Sequence, residues 1–221
     1  LNSIISMLYD VLLGDGKLKM KNTLILLAGY PGTGKTFLAN RLLDRFPCFQ
    51  MLSPDKIKEE FWDEYGFENC AEKEILIAKS WDKFYRTLKA KLENEENVIC
   101  DYPFSDKQYD TLKQITSQCK TKVITIVMVA DIDILFKRQK ERDLDEQRHL
   151  GHILKKYHKG IKLENRLQAD NLLSFEEFYN RCKNRGYDLF SLGETFRIDV
   201  SVLYPNMYDC IIRDIEKIIC S

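Results

Sequence analysis

From residue 23 onward, short apolar runs alternate with longer stretches in which apolar residues return every three or four positions. Thr23-Leu24-Ile25-Leu26-Leu27-Ala28 is apolar without alternation, the pattern of a strand buried on both faces. Phe49-Gln50-Met51-Leu52, Asn97-Val98-Ile99-Cys100-Asp101, residues 122–129 and residues 195–200 read as four further strands. Helical spacing is predicted over residues 35–43, from 53 onward, and over 71–94, 106–119, 131–142, 174–184 and 206–219. The helix over 71–94 is assigned a buried stripe of Ile75, Ala78, Trp81, Tyr85, Leu88 and Leu92. At that spacing Trp81 and Tyr85 suit core packing better than a base-stacking platform. The polar, basic stretch from about 143 to 160 reads as a mobile loop. Strands alternating with helices predict an α/β fold, a parallel five-stranded sheet with helices on both faces. Ligands in such sheets bind at the carboxyl ends of the strands, where Gly29, Asp55 and Asp101 fall.

The turn between the first strand and helix carries the chemistry. Gly29-Tyr30-Pro31-Gly32-Thr33-Gly34-Lys35-Thr36 fits G-x-x-x-x-G-K-[ST], a phosphate-binding loop of the Walker A type. Polyphosphate needs many hydrogen-bond donors in a small volume, and a tight loop of backbone N–H groups supplies them. Lys35 is placed to reach the β/γ-phosphates, and the Thr36 hydroxyl to ligate the Mg²⁺ they carry. Gly29, Pro31, Gly32, Thr33, Gly34, Lys35, Thr36 and Phe37 are the predicted nucleotide-binding residues. The helix after the loop adds its positive N-terminal end beneath the phosphates. At Ser53-Pro54-Asp55 a second helix start is written in an N-cap, a proline and an acid of the first turn.

Composition narrows the setting. The 221 residues suit one domain, residues 20–221, with a lid at about 138–160 and an N-terminal extension, residues 1–19, read as a short amphipathic helix. The run from Ile4 to Leu13 contains Tyr9 and Asp10 and is too short to span a bilayer; no targeting segment is apparent. Lys+Arg and Asp+Glu both total 34, so no net field draws the chain to nucleic acid or an anionic membrane. Seven scattered cysteines without a C-x-x-C pair suit reduced thiols in a cytoplasm.

The reaction is narrowed by what the chain lacks. It has no N-K-x-D guanine reader, no L-S-G-G-Q-like signature, and no glutamate beside Asp101 to activate water. Transfer to a hydroxyl is therefore favoured over hydrolysis. Asp101 is placed to hold the Mg²⁺ shell with Thr36, and Asp55 to accept the proton of an acceptor hydroxyl. Each also suits a plainer role, Asp55 as a helix-dipole acid and Asp101 as a strand-end turn residue. Arg138 and Arg142 lie four apart on one helix face, with Arg148 beyond, and could close over the phosphates as a lid. His149, His152 and His158 lack the partners of a zinc site; His149 or His152 suits an acceptor contact better.

These blocks resemble the small P-loop kinases that include polynucleotide 5′-hydroxyl kinases, zeta-type toxin kinases and chloramphenicol phosphotransferase-like proteins. Residues 46–55 resemble the segment delivering the catalytic aspartate of that group, which the resemblance puts at Asp55. Residues 98–104 resemble its second acidic strand, with the acid at Asp101. Residues 127–142 resemble its lid helix, with Arg138 and Arg142 as phosphate-binding arginines. Lys56 and Lys58 depart from polynucleotide kinases, which place acidic and arginine residues there. The resemblance implies ATP and Mg²⁺ and names no acceptor. Three readings stand: a kinase for the hydroxyl of a small molecule, which is favoured; a polynucleotide 5′-hydroxyl kinase; and a nucleotide-binding module without turnover.

Overall fold

A computed structural model of the chain describes residues 22–204 and 206–219; the helix expected in residues 1–19 lies outside them. Five strands, β1 (Thr23–Gly29), β2 (Phe49–Met51), β3 (Asn97–Asp101), β4 (Lys122–Val129) and β5 (Glu194–Asp199), form one sheet in the order β2-β3-β1-β4-β5. Every pairing is parallel. The helices are α1 (Lys35–Arg45), α2 (Pro54–Tyr65), α3 (Cys70–Glu93), α4 (Asp106–Gln118), α5 (Ile132–Leu144), α6 (Phe175–Asn184) and α7 (Asp209–Ile219). Among the described residues no helix is long and apolar enough to cross a membrane.

β1 is central and fully buried, and its residues divide between the two faces. Ile25 and Leu27 pack with Leu38 and Leu42 of α1 and Ile211 and Ile215 of α7. Leu24, Leu26 and Ala28 pack instead with Phe84 and Leu88 of α3 and Leu112 of α4. A strand covered on both sides has no polar face, which is why its sequence does not alternate. In register, Leu27 lies opposite Asp101 on one side and Ile126 on the other. The carboxyl ends of β1 and β3 are therefore neighbours, with Gly29 two residues beyond Leu27, the partner of Asp101.

Two expectations are corrected. The buried stripe of α3 is Lys73, Leu76, Ser80, Phe84, Leu88 and Leu92, whereas Ile75 is 55% exposed and Ala78 is also exposed. Two polar residues mask the true stripe, and each is satisfied locally: Ser80 donates to the Ile77 carbonyl, and Lys73 Nζ to that of Leu154. Trp81 and Tyr85 pack half-buried at the edge of the core, as their spacing predicts. The stretch expected as a mobile loop is docked instead. It carries a 3-10 turn at Leu150–His152, buries Gly151, Ile153 and Tyr157, and pairs Tyr157 with Phe67 in a two-way backbone bridge.

Candidate active site

β1 ends so close to β4 that Gly29 admits no side chain. A Cβ there would lie 1.9 Å from the Met128 carbonyl oxygen, and φ is 99°, in the left-handed region. The Tyr30 amide donates to the same carbonyl at 3.1 Å, so the loop leaves the sheet from a fixed point. Gly34, at φ 82°, turns the chain into α1 and brings the free amides of its first turn back to the loop. Lys35 is buried and donates to the Tyr30 carbonyl at 2.6 Å and to Thr33 Oγ1 at 3.2 Å. Burial, helped by Arg142, pulls its ammonium down to about 7 against the pull of Asp101 and Asp55. A cation so poorly compensated is matched to an incoming anion.

Thr36 Oγ1 donates to Asp101 Oδ2 at 2.6 Å, and Asp101 Oδ1 is buried without a hydrogen-bond partner. Burial and the neighbouring Asp55 push the Asp101 carboxyl up, against the Thr36 and Ser53 hydroxyls and Lys35. Ser53 takes the N-cap position of α2, yet its side chain makes no cap bond. A hydroxyl, an orphaned carboxylate oxygen and a strained negative charge make a donor set that fits a hard divalent cation.

Asp55 stands in the first turn of α2. Its Oδ1 accepts from Lys58 Nζ at 3.1 Å, and Oδ2 lies 3.6 Å from Arg142 Nη2. Burial works to raise this carboxyl, but Lys58, His152, Arg142 and Arg148 outweigh it and hold it well below the usual carboxylate range. Of these four, His152 is neutral above about pH 4 because burial depresses it, so the permanent cations set the charge state of Asp55. Lys58 is itself buried, donates to the Tyr102 hydroxyl at 2.9 Å and sits 4.1 Å from the centre of that ring. Trp81 meets Tyr102 edge-on at 4.9 Å. The Asp55–Lys58 pair at i,i+3 was visible in the sequence as a spacing; Tyr102, 44 residues on, was not.

The docked stretch is held by α2. His152 Nε2 pairs with Glu59 Oε1 and His149 Nε2 with Asp63 Oδ1, both at 3.0 Å, and Tyr157 donates to Asp63 at 2.6 Å. Gly151 N donates to His149 Nδ1, which fixes the tautomer with hydrogen on Nε2. Trp62 packs against both rings. His158 pairs with Glu68. Among the described residues no three His, Cys, Asp or Glu side chains gather as a metal site.

The two arginines of α5 diverge. Arg142 and, behind it, Arg148 act on Asp55. Arg138 donates to the carbonyls of Val200 at 2.9 Å and Ser201 at 3.3 Å, tying α5 to the chain after β5. With Gly32, Thr33, Gly34, Phe37 and Tyr208 it lines a cavity of about 460 Å³ beside the loop. Pro31 is half-buried in the loop itself.

With this geometry in view, the comparisons are consistent. The family described as an AAA domain (AAA_33) matches residues 24–158, and the chain belongs to it. It is a P-loop kinase-like domain, as the residue blocks anticipated. An inferred kinase from Chloroflexus aurantiacus j-10-fl superposes with a TM-score of 0.67 at 20% identity, covering 90% of this chain and 96% of that one. A chain of the Pnkp1/Rnl/Hen1 RNA repair complex superposes with a TM-score of 0.55 at 16% identity, covering 81% of this chain and 50% of that one. At these identities the likeness is one of fold. No curated protein matches the chain in sequence.

Proposed function

We propose that this protein is an ATP-dependent kinase that transfers the γ-phosphoryl group to a hydroxyl of a small-molecule acceptor in the cytoplasm. One observation carries the reading: a carboxylate kept ionised by fixed cations, Asp55, stands beside a phosphate loop whose buried lysine is only partly compensated by Asp101 and Asp55. Lys35 and the loop amides would hold the β- and γ-phosphates, with the base and ribose beside Arg138 and Phe37. Thr36 and Asp101 would hold Mg²⁺, which when bound neutralises phosphate charge. The acceptor oxygen attacks the γ-phosphorus as the bond to the β–γ bridging oxygen breaks, and ADP leaves. Asp55 orients the hydroxyl and takes its proton. A carboxylate so acidic is a weak base, which suits a loose transition state in which the proton moves late. Arg142, on the lid formed by α5 and the docked stretch, supplies positive charge to the moving phosphoryl group.

The test is transfer of γ-labelled phosphate from Mg·ATP into untreated and nuclease-treated cytosolic extract. Label in small molecules from both extracts supports the proposal. Label confined to nuclease-sensitive material would establish a polynucleotide kinase instead, and no transfer beside intact ATP binding would establish a binding module.

A further inference from the structure

The charges of the site are not balanced by the nucleotide alone. The chain is neutral as a whole, with 34 basic and 34 acidic residues. Yet Lys35, Lys58, Arg142 and Arg148 act on Asp55 and Asp101 at the carboxyl ends of β1 and β3, and Arg181 and Arg185 act on Tyr187, which packs against Tyr30 of the phosphate loop. Nucleotide phosphates account for Lys35 and Arg142, and Lys58 and Arg148 are engaged with Asp55 and Asp143. Arg181 and Arg185 are left over. They stand on the last turns of α6 and just past its end, opposite the start of α4, and with Lys107 they line a cleft of about 380 Å³.

All three cations are exposed, and among the described residues none forms an ion pair. The cleft also carries one acid, Asp106, and the amides of Asn180 and Asn184. At the start of α4, Gln108 Oε1 accepts from both the amide and the hydroxyl of Ser105, which leaves Ser105 no free donor for an anion. The attraction comes from the charged side chains. The cleft is coupled to the transfer site through aromatic residues. Tyr187 is buried, packs edge-on to Tyr30 of the phosphate loop at 6.4 Å, and feels Arg185, Tyr102 and Arg181. Tyr102 in turn holds Lys58, which holds Asp55.

We propose that the cleft of Lys107, Arg181 and Arg185 holds a phosphate group already present on the acceptor, so that the substrate is a phosphorylated small-molecule alcohol and the product carries two phosphates. The inference rests on the kinase reading above. Forked guanidiniums and an ammonium around a compact space suit a phosphate dianion and its bidentate contacts. A polynucleotide would need a basic track leading away from the cleft. The neighbouring cations of α3 do not provide one, since Lys83, Arg86 and Lys91 are paired with Glu60, Asp82 and Glu96.

The experiment uses the full chain saturated with a non-hydrolysable Mg·ATP analogue, so that the phosphate positions of the loop are filled. Inorganic phosphate is titrated calorimetrically into wild type, R181Q/R185Q and K107Q. One phosphate should bind per chain, about tenfold more weakly in the double variant, with affinity for the analogue unchanged. The exposed positions of these residues leave folding intact, and unchanged analogue affinity verifies it. Absent phosphate binding, or equal binding in wild type and the double variant, overturns the proposal. Salt-sensitive capture of a 5′-hydroxyl oligonucleotide that competes with phosphate also overturns it, in favour of a polynucleotide occupant. Transfer into extract that is identical in wild type and R181Q/R185Q overturns the cleft and leaves the kinase standing. Phosphate binding without transfer supports the anion site and removes the kinase.

Discussion

Thr36 Oγ1 donates to Asp101 Oδ2 at 2.6 Å, while the second oxygen of the same carboxylate is buried and bonded to nothing. The two residues are 65 apart in sequence, yet β1 and β3 are neighbours in register, so the contact follows from sheet order. It leaves one oxygen of Asp101 free for a cation that the hydroxyl also reaches. Asp101→Asn should therefore abolish the gain in nucleotide affinity that Mg²⁺ brings. ADP titrations with Mg²⁺ and with EDTA measure that gain directly, and a full gain retained by the variant would remove Asp101 from the cation site.

Lys35 gives a pH dependence with a defined sign. Burial depresses its ammonium to about 7, and bound phosphates raise it. Binding at pH 8 must then take up a proton, and nucleotide affinity falls as pH rises through and beyond about 7. Calorimetry in buffers of differing ionisation enthalpy reads the uptake. At pH 5.5, where Lys35 is already charged, it should vanish.

Lys58 is buried between Asp55 and Tyr102, and removing it leaves a half-buried carboxylate short of its nearest cation. Lys58→Met is expected to cost about 3 kcal/mol in urea unfolding, the scale for breaking a buried pair from one side. Adding Asp55→Asn should recover part of the loss. Independent, additive effects would show that the two side chains are not coupled.

Arg138 and Arg142 separate binding from turnover. Arg138 braces the chain after β5 beside the cavity next to the loop, whereas Arg142 faces Asp55. Arg138→Ala should weaken ADP binding more than it slows transfer. Arg142→Ala should lower transfer by about two orders of magnitude or more with ADP affinity nearly unchanged, the scale for a lost transition-state charge. Fluorescence titration and single-turnover transfer distinguish the two.

The strands and the phosphate loop were legible because their signals are local. A two-face-buried strand, a glycine loop and a helix in succession occupy fewer than 25 residues, residues 23–45. The face of α3 was misassigned because Lys73 and Ser80 break the apolar stripe, and their partners, the carbonyls of Leu154 and Ile77, do not show in a hydrophobic pattern. The docking of residues 148–158 was hidden for a related reason. His149 and His152 meet Asp63 and Glu59 at separations of 86 and 93 residues, and the pairs read singly as ordinary surface charges. The pairing of Arg138 and Arg142 on one helix face was correct as periodicity. It could not show that the two guanidiniums leave that face in different directions, one to carbonyls and one to a carboxylate.

The assignment of Asp55 as the acceptor of the hydroxyl proton is tested most directly by single-turnover transfer from Mg·ATP with Asp55→Asn, measured alongside ATP affinity. Transfer lowered by about a hundredfold or more with ATP binding nearly intact is the expected result. Unchanged transfer would contradict the role of Asp55 and, with it, the proposed mechanism.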